Sequence, residues 1–258
     1  MKKAKHNNIA IQYDKNRPHY PDTLIEDIIQ LTKIKHNSDI LEIGSGTGIA
    51  TIPFIVKGFN IQCIEIGENL VNIFKKKISN NPGIKVDVIS FEDWIPDKKY
   101  DLIFSAQAFH WIDINIKYEK TFSILKENGH LALFWYIPII KENIGIRELN
   151  EFLKENKLPI TYYSDDNYKD FINEMNIEIK NADIFTKIIE KEYQDDYSII
   201  KNDEYISHIN TTSAFGNLND DVKNNLNKKI YDILIKSDIE IQTKLNFVLF
   251  LLKADRNE

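Results

Sequence analysis

The chain has 258 residues, of which 43% are hydrophobic, and a formal net charge of -6. This length and composition allow one α/β domain with a full apolar core. An acidic balance, without a stripe of Lys and Arg interleaved with aromatic residues, argues against a nucleic-acid partner. The longest apolar stretches fall well short of the roughly 18 residues that a membrane helix needs, so we expect no membrane partner.

Cysteine usage and the first residues of the chain indicate the compartment. Cys63 is the only cysteine, which excludes an intrachain disulfide and suits a reducing cytoplasm. It lies within an apolar run and is interpreted as a core residue. Residues 1–8 lead from lysines into asparagines rather than into an apolar segment, so we expect no signal peptide. A cytoplasmic location is therefore predicted.

In the first half of the chain, short apolar runs alternate with amphipathic stretches. The periodicity after Pro21 predicts a helix over 22–35. Five strands separated by helices follow: strands at about 39–43, 60–65, 84–89, 100–105 and 130–136, and helices at about 48–57, 68–80 and 115–126. Strands that alternate with helices at this spacing form a parallel sheet with helices on both faces, in an α/β fold. Ligands of such sheets bind beyond the carboxyl ends of the strands.

The second half of the chain carries weaker signals. Residues 137–180 are polar with scattered aromatic side chains, and are interpreted either as a helical insertion that covers the site or as a plain surface excursion. Apolar runs predict two more strands at 184–193 and 243–252, with helices near 198–210 and 219–236. Since there is no internal repeat and no long linker, we expect one domain over residues 1–258, made of a first half at 1–136, an insertion or lid at 137–180 and a C-terminal part at 181–258 that completes the sheet.

The most informative stretch is ILEIGSGTG at residues 40–48, where a predicted buried strand leads directly into a glycine loop. Gly44, Gly46 and Gly48 allow a sharp turn and let backbone N–H groups approach a ligand closely. The helix predicted after this loop points its N-terminus at the same ligand. Glu65 ends the next predicted strand, where a carboxylate accepts hydrogen bonds from both hydroxyls of a ribose. Together these features predict a nucleoside-binding site.

Two side chains decide which nucleoside fits the loop. A dinucleotide-binding loop has the pattern G-x-G-x-x-G or A, but Ile49 occupies the position of the third small residue. Glu42 lies two residues before the loop, where its carboxylate repels a pyrophosphate and suits an ammonium group. An NAD(P)-dependent oxidoreductase is therefore disfavoured. The pattern Glu42-x-Gly-x-Gly-x-Gly resembles motif I of the class I S-adenosylmethionine-dependent methyltransferases.

The resemblance covers residues 9–136, and its motifs stand in the order found in the type 11 and trans-aconitate-methyltransferase-like group of small-molecule methyltransferases. The matching segments are YDKNRPHYP at 13–21, SFEDW at 90–94, YDLIFSAQAFHW at 100–111 and LKENGHLAL at 125–133. The resemblance implies a Rossmann-like sheet of seven strands, mostly parallel, with the last strand antiparallel between the fifth and the sixth. It also implies S-adenosyl-L-methionine as cofactor, S-adenosyl-L-homocysteine as product and a small-molecule methyl acceptor.

The resemblance further implies a cofactor site. Glu42 would lie near the ammonium group of the methionine moiety, or would instead cap the next helix and shape the loop. Glu65 would bind the ribose, with Ile66 against the adenine. Tyr13 or Arg17 would close over the methionine carboxylate, unless Arg17 is an exposed residue before the helix. The implied cofactor-binding residues are Tyr13, Arg17, Glu42, Gly44, Ser45, Gly46, Gly48, Glu65, Ile66, Phe91, Glu92, Ser105 and Gln107.

The partner of the adenine amino group is left open by the sequence. Ser90 stands where many members of the group have an aspartate, with Glu92 and Asp93 just beyond it. Phe91 would then supply a backbone N–H group or stack on the adenine. In the alternative, Glu92 and Asp93 are ordinary solvated charges.

Residues 107–111 would face the transferred methyl group. His110 is the candidate catalytic residue, acting as a general base or as a hydrogen-bonded positioning residue. Phe109 and Trp111 would wall an acceptor pocket together with His110, or would anchor the loop in the core. The sequence contains no nucleophile elbow and no cluster with metal-ligand spacing, so we expect neither a covalent intermediate nor a metal.

Arginine usage bears on the acceptor, because Arg17, Arg147 and Arg256 are the only three. Arginine forks are the usual way to hold carboxylates, so we do not expect the tricarboxylate trans-aconitate as the acceptor. The aromatic residues of the loop favour a flatter, less charged molecule. A non-catalytic cofactor-binding subunit is the main alternative to an enzyme, and the oligomeric state is undetermined by the sequence.

Overall fold

A mixed β-sheet forms the centre of the protein. The computed structural model describes residues 6–79, 81–159, 161–216, 218–236 and 240–254. Within these residues the sheet has eight strands: β1 (Ile40–Ile43), β2 (Ile61–Glu65), β3 (Ile84–Val88), β4 (Tyr100–Ala106), β5 (Leu125–Ile140), β6 (Phe185–Gln194), β7 (Ser198–Ile200) and β8 (Ile241–Ala254). Every residue of β1 is buried, as expected for a central strand covered on both faces.

The order of the strands in the sheet is β3-β2-β1-β4-β5-β8-β6, with β7 paired to the start of β8. Strands β1 to β5 are parallel to one another. β8 runs antiparallel to both β5 and β6. These pairings confirm the predicted Rossmann-like sheet and the insertion of its last strand between the fifth and the sixth. The chain order reverses between β1 and β4, which is where ligands of such sheets bind.

Two parts of the sheet differ from their predictions. β5 exceeds the predicted 130–136 at both ends, because Leu125 pairs with Tyr100 of β4 and residues 130–140 pair with β8 along their whole length. Residues 198–200, predicted to begin a helix, form the short strand β7 and pair with residues 241–243. This pairing satisfies backbone groups that a short helix would leave open at its end. The sheet therefore has one strand more than the seven predicted.

Helices cover both faces of the sheet. They are α1 (Ala10–Asn16), α2 (Asp22–Thr32), α3 (Thr51–Val56), α4 (Glu68–Ile78), α5 (Ile114–Ile124), α6 (Ile144–Glu155), α7 (Tyr168–Ala182), α8 (Asn202–Ile209), α9 (Ser213–Gly216) and α10 (Asp220–Lys236). α6 and α7 are the helical insertion predicted after the fifth strand. In the described parts of the chain, no helix combines the length and the apolar character needed to cross a membrane.

Each face of the sheet has its own apolar core. On one face α2, α3 and α4 contribute Ile28, Phe54 and Phe74. On the other face α5 and α7 contribute Tyr118 and Ile172. Removing this apolar surface from water stabilises the fold by about 25 cal/mol per Å².

A third apolar cluster lies at the carboxyl edge of the parallel strands. It joins Leu149 of α6, Tyr205 of α8 and Ile230 of α10 to Ile140 and Ile241. Ile140 ends β5 and Ile241 begins the antiparallel β8, so both residues mark this edge of the sheet. The C-terminal half of the chain therefore packs beside the place where a ligand is expected.

Phe104 of β4 offers a test of the core. It has no exposed surface and stacks on Phe54, with ring centroids 4.7 Å apart. We expect Phe104→Ala to lower the free energy of unfolding by about 3–5 kcal/mol in urea denaturation, because it leaves a cavity. Ile95 is 87% exposed, and Ile95→Ala is the control, with an expected change below about 0.5 kcal/mol. Equal losses for the two variants would contradict the position of Phe104.

Candidate active site

The glycine loop begins where β1 ends and is held to the neighbouring strand. The N–H groups of Gly44 and Ser45 both donate to the carbonyl oxygen of Ile64, at 2.8 and 3.2 Å. Gly46 and Gly48 have φ angles of 55° and 82°, in the left-handed region that side chains disfavour. A Cβ on Gly48 would lie 2.2 Å from a phenyl ring of α4, whereas a Cβ on Gly46 would meet no atom within 4 Å. Gly48 therefore serves packing, and Gly46 leaves open space beside the backbone.

Glu65 meets this loop from the end of β2. One carboxylate oxygen accepts the Gly46 N–H at 2.9 Å, and the other accepts the Gly67 N–H at 2.7 Å. Burial raises the pKa of the carboxyl, while these N–H groups oppose the rise. Each oxygen keeps a second lone pair for a hydroxyl donor. The structure thus joins the two features that the sequence placed apart.

Glu42 is buried beneath the loop. Its carboxylate accepts a hydrogen bond from the hydroxyl of Thr51, the first residue of α3, and lies 3.9 Å from the sulfur of Cys63. Burial raises the pKa of Glu42 to about 8, and the charge of Glu65 adds to the rise. Glu42 also lines the cleft beside the loop. The bond to Thr51 joins Glu42 to the first turn of α3, and its contact with a ligand stays a prediction.

A narrow cleft runs beside the glycine loop. It is lined by Tyr13, Arg17, Tyr20, Glu42, Gly44, Ser45, Gly46, Thr47, Ile49, Ala50, Ala106, Gln107 and Tyr136. The hydroxyl oxygens of Ser45 and Thr47 are buried without a hydrogen-bond partner among the described residues. Such hydroxyls are rare in folded proteins, so they mark a place for a polar ligand. Sequence reasoning missed Thr47 and Tyr136, although Thr47 lies in the glycine loop and Tyr136 is the last residue of the strand predicted at 130–136.

Arg17 lies between this cleft and a second cavity. Its guanidinium donates to the Tyr136 hydroxyl and, at 2.9 Å, to the carbonyl oxygen of Thr211. It also lies 4.8 Å from the centre of the Tyr13 ring. Burial lowers the pKa of Arg17 and raises that of Tyr13. Arg17 is therefore half-buried and bonded to remote parts of the chain, and is not an exposed residue before the helix.

Gln107 follows β4 and borders both spaces. Its φ angle is 55°, which is unusual for a residue with a side chain. Its side-chain amide donates to the carbonyl oxygen of Tyr136 at 2.6 Å. Backbone strain of this kind clusters at functional sites. Ser105 is different, because its hydroxyl donates to the carbonyl oxygen of Ile43 at 2.8 Å and joins β4 to β1 inside the sheet.

The loop after β3 is fastened by α5. The ammonium group of Lys120 donates to the carbonyl oxygens of Phe91 and Glu92, at 2.6 and 3.0 Å. The Phe91 ring is buried in the core, and the Glu92 carboxylate accepts the Asp113 N–H at 3.3 Å. Ile66 is 38% exposed and provides apolar surface after Glu65. Of the residues predicted for the adenine, Ile66 is thus the one with an accessible apolar side chain.

His110 lies in a single helical turn after β4. Its Nδ1 accepts the indole N–H of Trp135 at 3.1 Å. A neutral imidazole that accepts at Nδ1 carries its proton on Nε2, so the lone pair that would take a proton is already used. This hydrogen bond favours the positioning role of His110 over general-base catalysis.

Phe109 and Trp111 differ in their surroundings. Phe109 is buried against the Tyr118 ring at a centroid distance of 5.3 Å, with the ammonium group of Lys117 at the same distance from its ring. Trp111 is 42% exposed, and its ring centroid lies 4.5 Å from that of His110. Phe109 therefore anchors the loop in the core. The role of Trp111 in a pocket wall stays a prediction.

A second cavity of about 170 Å³ adjoins the cleft. It is lined by Arg17, Gln107, His110, Trp135, Tyr136, Ile137, Pro138, Thr161, Tyr163, Phe171, His208 and Thr212. Arg17, Gln107 and Tyr136 line both spaces, so ligands in the two would be neighbours. Residues beyond 160, such as His208, come from the C-terminal half, where the sequence contained no motif that could have identified them. Burial and the charge of Arg17 lower the pKa of His208 to about 3.

Comparison with protein families matches the part of the chain that carries this site. Residues 41–133 match the Methyltransf_11 family, which is described as a methyltransferase domain. Residues 41–133 are a methyltransferase domain of this family. The domain contains the glycine loop, Glu65 and the loop that bears His110. The resemblance inferred from the motifs is thereby confirmed.

Known relatives extend the comparison. A malonyl-[acyl-carrier protein] O-methyltransferase of Ilyobacter polytropus is 33% identical over 123 residues, which are 46% of this chain and 45% of that protein. The chain spans about half the length of the curated relatives it matches. The YcgJ protein of Bacillus subtilis has a TM-score of 0.59 at 14% identity, covering 92% of this chain and 100% of its own.

A structure of the Haemonchus contortus phosphoethanolamine N-methyltransferase 2, in complex with phosphomonomethylethanolamine and S-adenosylhomocysteine, has a TM-score of 0.53. It is 11% identical and covers 95% of this chain and 57% of its own. At such identities these likenesses concern the fold, and they confirm it for the methyltransferase domain.

The arginines and the groups that could bind a metal ion differ in their placement. Arg147 lies near Glu142 at 4.0 Å, on the surface, and Arg256 lies outside the described residues. In the part of the chain that the structure describes, no group of three or more His, Cys, Asp or Glu side chains is placed to hold a metal ion. Of the two arginines that the structure describes, Arg17 is thus the one that lines the cleft and the cavity.

Alanine substitutions at Gly46 and Gly48 test whether the first glycine borders open space and the second is closely packed. Gly48→Ala puts a Cβ 2.2 Å from the Phe74 ring, and we expect it to lower the free energy of unfolding by roughly 3 kcal/mol or more. Gly46→Ala has only the cost of the left-handed conformation, about 1–2 kcal/mol. Urea denaturation measures both, and a greater loss for Gly46→Ala would contradict this geometry.

The buried carboxyl of Glu42 predicts a pH-dependent stability. The folded pKa is about 8, whereas the unfolded value is 4.5, so between these values the folded protein binds the extra proton. Stability should therefore fall as pH rises through this window, by at most ~1.4 kcal/mol per pH unit from this residue. Glu42→Gln cannot ionise and removes the effect.

We expect the free energy of unfolding of Glu42→Gln, relative to that of the wild type, to increase between pH 5 and pH 8. Urea denaturation at each pH measures this difference. Glu68→Gln, an exposed substitution in the first turn of α4, is the control and is expected to give no such gain. A difference between Glu42→Gln and wild type that does not vary with pH would show that Glu42 is not a proton-holding buried carboxyl.

Proposed function

We propose that this chain is an S-adenosylmethionine-dependent methyltransferase that transfers a methyl group to a small-molecule acceptor by in-line displacement. The observation that carries the proposal is the bond between Glu65 and the glycine loop beside the open space at Gly46. The adjoining cavity supports a second ligand next to the first, as transfer between two small molecules requires.

S-Adenosyl-L-methionine suits the chemistry of the cleft. An ammonium group beside Glu42 would favour its ionised form and so form an ion pair. The hydroxyls of Ser45 and Thr47 need the hydrogen bonds that a polar ligand supplies. Tyr13 lines the cleft, and its raised pKa keeps its hydroxyl a donor for the methionine carboxylate. Glu65 would accept the ribose hydroxyls.

The remaining cofactor contacts are proposed from weaker observations. Ile66 offers exposed apolar surface to the adenine. Phe91 and Glu92 belong to a loop that Lys120 holds in place, so their position is defined. Gln107 would separate cofactor and acceptor, since it borders both spaces.

Bound S-adenosyl-L-methionine supplies an electrophilic methyl carbon on a sulfonium. The residues of the chain then need only hold the two reactants in line and exclude water, which contributes roughly 7–11 kcal/mol to lowering the barrier. Arg17, Gln107 and Tyr136 do so at the junction of cleft and cavity. His110, with its proton on Nε2, would position the acceptor as a hydrogen-bond donor. No protein nucleophile takes part.

Residues 1–258 are proposed to form one domain. β8, near the C-terminal end, pairs with β5 of the first half over residues 130–140, which supports a single sheet and core. The acceptor is proposed to be free in solution, without a nucleic-acid or membrane partner. A cytoplasmic location is supported by Cys63, a buried free thiol.

Calorimetric titration with S-adenosyl-L-methionine, S-adenosyl-L-homocysteine and NADH tests the proposal. We expect the first two to bind and NADH not to bind, because Glu42 and Ile49 disfavour a dinucleotide. Methyl transfer to an acceptor then separates an enzyme from a non-catalytic binding subunit. Binding of NADH alone would overturn the proposal.

Replacement of Glu65 tests the ribose contact. We expect Glu65→Ala to weaken binding of S-adenosyl-L-homocysteine by about tenfold or more, because it removes a charged acceptor. Glu65→Gln keeps one acceptor oxygen and should give a smaller loss. Glu119→Ala, on the exposed face of α5, is the control. Unchanged affinity in Glu65→Ala, measured by calorimetry on folded protein, would rule out the ribose contact.

A further inference from the structure

One positive charge stands in the wall of the second cavity. Arg17 lines it, and none of the described lining residues is an aspartate or a glutamate. The two terminal nitrogens of Arg17 donate to uncharged oxygens, the Tyr136 hydroxyl and the Thr211 carbonyl. Its Nε is buried and has no hydrogen-bond partner among the described residues. A buried donor on an unbalanced cation costs free energy, so the cavity suits a ligand with one negative charge.

The described wall of the cavity holds no effective proton acceptor. Nδ1 of His110 already accepts the indole N–H of Trp135. Burial, and after it the charge of Arg17, lower the pKa of His208 to about 3, which makes it a weak base at neutral pH. The Gln107 amide and the hydroxyls of the wall are not bases at this pH. An acceptor must therefore bring its lone pair in the form that exists in neutral water.

Much of the remaining wall is aromatic, beside the polar side chains of Thr161 and Thr212. The rings of Trp135 and Phe171 meet at 72° with centroids 5.7 Å apart, and the Tyr163 ring lies 6.4 Å from Phe171. Pro138 adds a further apolar surface. At about 170 Å³ the cavity has room for a small organic molecule, since a water needs only about 10–15 Å³. A planar ring fits such walls, and a second or third carboxylate would find no cation.

We propose, on the basis of the methyltransferase function above, that the acceptor is a small planar monocarboxylic acid and that a carboxylate oxygen is methylated. The guanidinium of Arg17, which lines the cavity, would hold one carboxylate oxygen while the other attacks. A lone pair of the attacking oxygen forms the C–O bond to the methyl carbon, the C–S bond breaks, and its electron pair stays on sulfur. The products are a methyl ester and S-adenosyl-L-homocysteine. No proton is released, which agrees with a wall that has no base.

Neutral acceptors lack either the negative charge that would balance Arg17 or a lone pair that attacks without the help of a base. An aromatic amine has a lone pair but no charge to balance Arg17. A phenol, with a pKa of about 10, is protonated at neutral pH and would need a base. A carboxylic acid, with a pKa of about 4, arrives as an anion with its lone pair free.

A panel of acceptors tests the proposal on the full chain. Benzoate, trans-cinnamate, benzamide, phenol, aniline and trans-aconitate are each incubated with S-adenosyl-L-methionine labelled in the methyl group. We expect product from benzoate or cinnamate that releases labelled methanol in alkali, as an ester does. Faster labelling of phenol or aniline than of the acids, or of trans-aconitate than of the monoacids, would overturn the proposal.

Substitution of Arg17 tests whether its positive charge binds the carboxylate of the acceptor. We expect Arg17→Gln to raise KM for the acid by about tenfold or more, with a smaller change in affinity for S-adenosyl-L-homocysteine, which also reports that the variant is folded. Arg147→Gln is the matched control, because Arg147 is an exposed arginine outside the cavity. An unchanged KM in Arg17→Gln would overturn the role of Arg17.

Calorimetry separates this proposal from the one on which it rests. If S-adenosyl-L-homocysteine binds and neither benzoate nor cinnamate binds to that complex, the carboxylate proposal is wrong and the methyltransferase proposal stands. If the acids bind in an Arg17-dependent manner but no cofactor binds, the acid site stands and the methyltransferase proposal fails. Absence of both kinds of binding overturns both.

Discussion

The parallel pairing of β1 with β2 is the constraint on which the site depends. Its register sets Ile43 beside Ile64, so the glycine loop and Glu65 leave the sheet at the same point. The carbonyl oxygen of Ile64 then accepts two loop N–H groups, and the Glu65 carboxylate accepts that of Gly46. A shift of one residue in this register would turn the strand side chains to the opposite faces of the sheet.

The same pairing explains the electrostatics of the cleft. Because β1 is buried on both faces, Glu42 is withdrawn from water, and its carboxyl is stabilised by the Thr51 hydroxyl rather than by a cation. Arg17, the cation nearest the site, is bonded to uncharged oxygens. Glu42 and Arg17 are therefore not paired with each other, so each is placed to meet a ligand group of the opposite charge.

The acceptor side depends on a second set of contacts, between parts of the chain that are remote in sequence. Arg17 reaches Tyr136 across 119 positions and Thr211 across 194. β8 holds these parts together, because it pairs with β5 of the first half and with β6 of the second. The cavity is thus a product of the complete fold, with one wall from β5 and another from α7 and α8. Among its described lining residues, the single cation and the absence of an effective base follow from which side chains these elements bring together.

The sequence by itself determined the α/β fold, the glycine loop and the acid at the end of β2, because these signals are local. Each of these features can be recognised within a short stretch of sequence: an apolar run, closely spaced glycines, or a carboxylate at the end of a strand. It also predicted the antiparallel last strand, through resemblance. It did not indicate β7, because residues 198–200 become a strand only by pairing with residues 241–243.

Side-chain partners were likewise decided by the tertiary structure. The sequence left His110 open between base and positioning residue, and the hydrogen bond from the indole of Trp135 favours positioning. Phe109 and Ser105 turn into the core and the sheet, although their neighbours line the site. His208 and Phe171 line the cavity without any motif. Hydrogen bonds and cavity walls between distant elements depend on the three-dimensional arrangement of the whole chain, and local patterns do not specify that arrangement.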